Sequence, residues 1–101
     1  MAETRQLEVF QHDAFRQWLS TLRDARKRAR IAACIRRLEM GNPGDVKPIG
    51  DGVSEMRIHY GPGYRDCYKQ TGRTVVILLC GADKGSQDRD IARARALAAT
   101  L

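Results

Sequence analysis

The sequence holds little cysteine, and none of it is arranged to staple the chain or to hold a metal. Cys34, Cys67 and Cys80 form an odd, widely spaced set of three, with no Cys-x-x-Cys and no histidine at ligand spacing, which excludes a disulfide framework and a zinc site. Free, mostly buried thiols are expected, with no metal and no other cofactor. No apolar stretch approaches the roughly 18 residues of a membrane-spanning helix, the longest running from Val75 to Cys80. The polar opening Met1-Ala2-Glu3-Thr4-Arg5 lacks the apolar core of a secretion signal, so a cytoplasmic protein without membrane contact is expected. Three prolines and nine glycines are too few, and 43% apolar residues too many, for a disordered tail. The 101 residues suffice for a single domain over 1–101 and for no second one.

Acidic residues are the minority charge: 12 Asp and Glu stand against 18 Lys and Arg, for a net charge of +6. The excess sits in one place. Residues 23–37 hold seven cations (Arg23, Arg26, Lys27, Arg28, Arg30, Arg36 and Arg37) against the single acid Asp24, so this segment carries the whole surplus. Fourteen of the 18 cations are arginines, whose planar fork binds phosphate and carboxylate in bidentate fashion and stacks on bases. A polyanionic partner is therefore expected. The competing readings are a dock for an acidic protein and a basic helix face that is merely solvated.

Hydrophobic spacing divides the chain into a helical first part and a stranded second part. Residues 5–10 alternate polar and apolar with Leu7 and Val9 on one face, which predicts a short half-buried strand closed by Phe10. Phe15, Trp18, Leu19 and Leu22 then fall at the i, i+3, i+4, i+7 spacing of an amphipathic helix that starts near Asp13. A second helical run follows from Asp24, with Ile31, Cys34, Ile35 and Leu38 as its apolar stripe and Arg23, Arg26, Arg30 and Arg37 on another face. The two are expected to form a helical hairpin broken near residues 22–24. Gly41-Asn42-Pro43-Gly44 stops the second helix, because glycine suits the C-terminal cap and proline cannot continue. Residues 46–49, 53–60, 64–69 and 74–80 read as four strands joined by short glycine turns, a four-stranded antiparallel meander. A last helix is predicted over about 86–99, with Ser86, Asp88 and Asp90 marking its start. The class is α+β: strand, helical hairpin, meander, C-terminal helix.

A three-residue loop at Gly61-Pro62-Gly63 would set Tyr60 opposite Tyr64, His59 opposite Arg65 and Glu55 opposite Lys69. One polar surface would then carry Glu55, Arg57, His59, Arg65 and Lys69. Proton carriers (Glu55, His59) beside fixed cations (Arg57, Arg65) are the inventory of metal-free phosphodiester cleavage. Cross-strand charge pairing on a solvated sheet produces the same pattern. Gly81-Ala82-Asp83-Lys84-Gly85-Ser86 is not a phosphate-binding loop, since Lys84 precedes its glycine and the loop is too short. His12 reads as a residue that starts a helix. Asp66 falls on the apolar face, where a local polar contact or an edge position would account for it.

Residues 52–65 (GVSEMRIHYGPGYR), 75–87 (VVILLCGADKGSQ) and 90–94 (DIARA), with Arg30-Ile31-Ala32, Leu38-Glu39-Met40-Gly41-Asn42 and Gly44-Asp45-Val46-Lys47-Pro48, resemble the HigB-like "addiction module killer" toxins of the RelE/ParE superfamily. The resemblance covers nearly the whole chain. It implies a RelE-like fold and the toxin half of a type II toxin-antitoxin pair, neutralised by a helix-turn-helix antitoxin through which the complex binds operator DNA. The implied activity is a metal-independent, ribosome-dependent mRNA endoribonuclease that inhibits translation. Arg65 then matches the arginine beside the scissile phosphate, Arg57 and His59 match basic residues of the preceding strand, and Lys84 matches a later cation. Either Glu55 or His59 would be the base. Arg23, Arg26, Arg30, Arg37, Lys47 and Lys69 would contact mRNA and ribosomal RNA. Many such nucleases carry a tyrosine or histidine near the C-terminus for proton transfer, and the segment after Lys84 has neither. The other reading is a ParE-like toxin that binds a protein target such as DNA gyrase without nuclease chemistry.

Overall fold

A computed structural model describes residues 6–61, 63–83 and 87–101. The elements are β1 (Glu8–Gln11), α1 (Asp13–Thr21), α2 (Ala25–Glu39), β2 (Val46–Gly50), β3 (Val53–Ile58), β4 (Tyr64–Thr71), β5 (Val75–Asp83) and α3 (Gln87–Ala99). His12 caps α1 by accepting the Ala14 N–H on Nδ1 at 3.0 Å, and Asp24 caps α2 by accepting the Arg26 N–H at 2.8 Å. At the other end of α2 the chain turns at Gly41, whose φ of 82° is cheap only for glycine. The two-residue turn Asp51-Gly52 has φ values of 57° and 76°, the twist that closes an antiparallel hairpin without splaying it.

The five strands lie in the order β1-β5-β4-β3-β2. All neighbours from β2 to β5 are antiparallel, as the meander requires, while β1 adds to β5 in parallel, with Phe10 beside Ile77. That parallel pairing depends on the α1–α2 crossover and is not visible in local spacing. The expected helix stripes face the core: buried Phe15 with the partly buried Trp18 and Leu19 of α1 and Leu22 just after it, and buried Ile31, Cys34, Ile35 and Leu38 from α2, pack with Met56, Ile58, Tyr64, Tyr68, Val76 and Leu78 on one face of the sheet. On the opposite face Ala94, Leu97 and Ala98 of α3 cover Val53, Cys67, Leu79 and Cys80. The β4–β5 register shifts after Cys67, so that Cys67 pairs with Cys80 and Tyr68 with Leu78. Leu79 is the extra residue of this bulge, which is how both Leu79 and Cys80 reach the α3 side.

Three expectations need correction. The β3–β4 connection spans residues 59–63 and β3 ends at Ile58, so Ile58 pairs with Tyr64, Arg57 with Arg65, Glu55 with Cys67 and Val53 with Lys69. His59 and Tyr60 are spent on the turn, where the Gly63 N–H donates to the Tyr60 carbonyl. A shift of two residues keeps each side chain on its face, but that face is roofed by α3 and is not a solvated surface. Asp66 lies on the central strand, not at an edge, and is 0% exposed with no hydrogen-bond partner for either carboxylate oxygen among the described residues. The first strand begins at Glu8 and runs on to Gln11, and β5 continues to Asp83, absorbing half of the expected loop. Ser86 and Lys84 lie outside the described residues.

Candidate active site

Two arginines face each other near the hairpin end of the sheet. Arg57 and Arg65 are Cα partners on β3 and β4, and like charges at directly opposed positions repel. The protein offsets that repulsion with oxygen acceptors. Arg57 Nε donates to Glu55 Oε1 at 3.3 Å. Arg65 Nη2 donates to the Asp83 carbonyl at 2.8 Å and stands 3.7 Å from Asp90 Oδ2 on α3. Glu55 is 1% exposed and Arg65 8%, whereas the Arg57 side chain retains 39% of its exposure. Arg65 Nε is buried with no acceptor among the described residues, a donor whose loss of water is uncompensated. Opposed arginines, one of them keeping part of its surface, are a candidate site for a phosphate.

His59 leaves this row. From the turn it bonds Asp45 Oδ2 through Nε2 at 2.7 Å, and the Asp45 carbonyl in turn accepts the Arg57 N–H at 2.9 Å. The His59 side chain is 76% exposed, so its second ring nitrogen faces solvent chemistry while the first is held by a carboxylate. A histidine held by a carboxylate in this way is a candidate base. Asp45 had no visible role in the sequence, because its partner lies across the β2–β3 hairpin.

The basic helix reaches the same end of the molecule. The Arg30 guanidinium lies 4.9 Å from the centre of the Tyr60 ring, a cation–π contact with the hairpin turn. The Tyr64 hydroxyl beside the Lys27 ammonium pushes the lysine pKa up. Arg26 and Arg37 are exposed on α2, with Arg37 Nη2 3.3 Å from Cys34 Sγ, and Arg23 is exposed just before the helix. Lys47 sits exposed on the edge strand as the Cα partner of Glu55. Lys69 does not join the group. It lies four residues along β4 from Arg65, about 13 Å, and lines a shallow cavity of 430 Å³ with Asp51, Arg95, Ala98 and Ala99. The structure thus brings Glu55, Arg57 and Arg65 together, with Lys47 flanking them, and sets His59 with Asp45 on the turn. The unanticipated contributors are Asp45, Lys27, Tyr60 and Tyr64. The tyrosines' aromatic character was the one local signal for them.

Among the described residues no helix is long and apolar enough to cross a membrane. No protein-family model matches the sequence. A protein of Haemophilus influenzae (strain ATCC 51907 / DSM 11121 / KW20 / Rd), described as an uncharacterized protein, is 49% identical over 87 residues, 86% of this chain and 88% of that one. Among solved structures, a chain from the crystal structure of the toxin-antitoxin complex RelBE2 of Mycobacterium tuberculosis matches with a TM-score of 0.55 and 19% identity, over 83% of this chain and 98% of that chain. At that identity the likeness is one of fold, and the fold is the RelE-like α+β arrangement expected from the order of elements.

Proposed function

From the RelE-like fold and the arginine site we propose that the chain, which belongs to one family with the Haemophilus influenzae protein, is the toxin of a type II toxin-antitoxin module, an endoribonuclease that cuts mRNA on the ribosome. The observation that carries the reading is the Arg57–Arg65 pair, opposed across two strands with Glu55 beside it. Two fixed cations on adjacent strands suit the charge of a pentacoordinate phosphate, and the exposed histidine on the adjoining turn suits removal of a ribose 2′ proton. In the reaction His59, oriented by Asp45, takes the proton of the 2′-hydroxyl, which attacks the adjacent phosphorus. Arg57 and Arg65 take up the charge of the phosphorane. The 5′ oxygen then leaves and takes a proton from Lys84, and His59 releases the one it took to water. The chemistry is carried by side chains and needs no metal. Glu55, buried and engaged by Arg57, holds that guanidinium in place and is the less accessible of the two candidate bases. Lys84 keeps the role of a further phosphate contact, and Lys47 and the arginines of α2 that of gripping mRNA and ribosomal RNA. A helix-turn-helix antitoxin is the proposed partner in the resting cell, and the pair would reach operator DNA through it.

The test maps mRNA 5′ ends after brief expression without antitoxin. New ends clustered within translated codons are expected for the wild type. Arg65→Ala should abolish them, with a loss of roughly 2 to 4 kcal/mol of transition-state stabilisation. His59→Gln should slow single-turnover cleavage by about 100-fold or more, and Asp45→Asn by about tenfold. Broken DNA in place of cut mRNA would transfer the protein to the gyrase-binding reading, and a fully toxic, soluble Arg65→Ala variant would remove the site.

A further inference from the structure

Beneath α3 lies a pair of thiols that the proposed reaction does not use. Cys67 and Cys80 are direct Cα partners on antiparallel β4 and β5, and they are 3% and 2% exposed. Opposed residues of antiparallel strands stand about 4.5 to 5.5 Å apart at Cα, inside the roughly 4.4 to 6.8 Å that a disulfide spans. The two thiols are close enough that each is the main influence on the other's pKa. The third cysteine, Cys34, is buried on the far side of the sheet among the α1 and α2 side chains. We propose that Cys67 and Cys80 are a redox modification site, closing to an intramolecular disulfide when the protein meets a peroxide and reopening with a dithiol.

The chemistry assigns the order of events. The neighbouring Cys67 holds the Cys80 thiol below its usual range, with burial opposing and Arg93 assisting, while Cys80 and burial push Cys67 up. Cys80 is accordingly the attacking thiolate. Its sulfur displaces one oxygen of the peroxide, which leaves as water after taking a proton, and Cys80 becomes a sulfenic acid. The Cys67 sulfur then attacks the Cys80 sulfur. The sulfenic hydroxyl departs as a second water, carrying the Cys67 proton. Two thiols lose two electrons and two protons, and the peroxide is reduced to two waters.

Access is gated by α3. The helix covers the pair with the small side chains of Ala94 and Ala98 and with Leu97, and the exposed Arg95–Asp51 ion pair, 2.8 Å, ties it to the β2–β3 turn. An opening of α3 admits a molecule as small as hydrogen peroxide. The bond would form two residues along β4 from Arg65, on the face that carries the candidate active site.

The experiment treats the folded, full-length protein with hydrogen peroxide, then denatures and alkylates it and measures intact mass and peptides. The expected product retains one of its three thiols, that of Cys34, carries a Cys67–Cys80 linked peptide, and returns to three alkylatable thiols with dithiothreitol. Long incubation in a glutathione buffer removes access as a variable and should give the same product. Cys67→Ser should stop at an oxidised Cys80 with no internal bond. Asp51→Asn should speed closure by up to about fivefold, the range an exposed ion pair commands. Three reactive thiols after equilibration in oxidised glutathione, a bond that uses Cys34 or joins two molecules, or loss of two thiols in Cys67→Ser would each overturn the proposal and leave the pair as plain core packing. An unchanged rate in Asp51→Asn would overturn the gating by α3.

Discussion

Asp66 is a charge-bearing residue placed in the driest part of the sheet. Its neighbours across the strands are Met56 and Gly81, and burial, with a smaller contribution from Cys80, pushes its pKa up from 3.8 to about 8. The folded protein therefore keeps a proton that the unfolded chain gives up near pH 4. Between about pH 4 and 8 the native state binds more protons than the unfolded state, so this residue makes stability fall as pH rises through that window and level off above it. Asp66→Asn has nearly the same shape and no proton to lose. The variant should match the wild type near pH 4 and exceed it increasingly above, by about 1.4 kcal/mol per pH unit at most and on the order of 4 kcal/mol at neutrality. Urea unfolding at pH 4.5, 6 and 7.5 measures this directly. Stability curves that stay parallel would mean that the carboxyl titrates normally and is not desolvated.

At the scale of elements, the β4–β5 pair is held from above by one aromatic ring. A methyl group on Gly81 would come within 2.3 Å of the Trp18 indole, and that indole is wedged at 5.7 Å from the Phe15 ring and 6.2 Å from that of Tyr64, so it has little room to give. Gly81→Ala should cost about 1 to 3 kcal/mol through overpacking, and Trp18→Leu in the same chain should recover part of the loss, a coupling that a double-mutant cycle reads as non-additivity. Full additivity would show that α1 shifts as a body to admit the methyl. Such contacts also mark the limit of what spacing reveals. The stripes of Phe15, Trp18, Leu19 and Leu22 and of Ile31, Cys34, Ile35 and Leu38 were legible because helical periodicity is local, and so were the glycine turns. The hairpin register was not. Whether Tyr60 belongs to a strand or to the turn depends on tertiary partners, here Arg30 over its ring and the Asp45 hold on His59. For the same reason Glu55 was placed on the right face yet against the wrong partner, Lys69 in place of Cys67, and the roof that α3 lays over Glu55 and Arg65 had no signature in the strands themselves.

At the scale of the whole molecule, the charge is arranged lengthwise, and this separates holding RNA from cutting it. The surplus cations lie on and just before α2, and the helix is drawn to the hairpin end through Arg30 on Tyr60 and Lys27 on Tyr64. Arg26 and Arg30 therefore share an end with Arg57 and Arg65, while Arg37 sits about 10 Å farther along the axis than Arg30. If a strand of RNA runs from the arginine pair along the helix, each phosphate contact releases counterions. Replacing Arg23, Arg26, Arg30 or Arg37 singly with Gln should flatten the salt dependence of ribosome association by about 0.7 to 0.9 log unit apiece. Cleavage should divide the set. Arg26→Gln and Arg30→Gln should slow single-turnover cutting even at saturating ribosomes, because they lie at the hairpin end of α2 and Arg30 steadies the turn that bears His59. Arg37→Gln should weaken association and leave the saturated rate unchanged. Equal effects of all four on the saturated rate would place the RNA elsewhere on the surface. A salt slope unmoved by any of them would reduce the basic helix to a solvated face and return the recognition of the ribosome to the sheet.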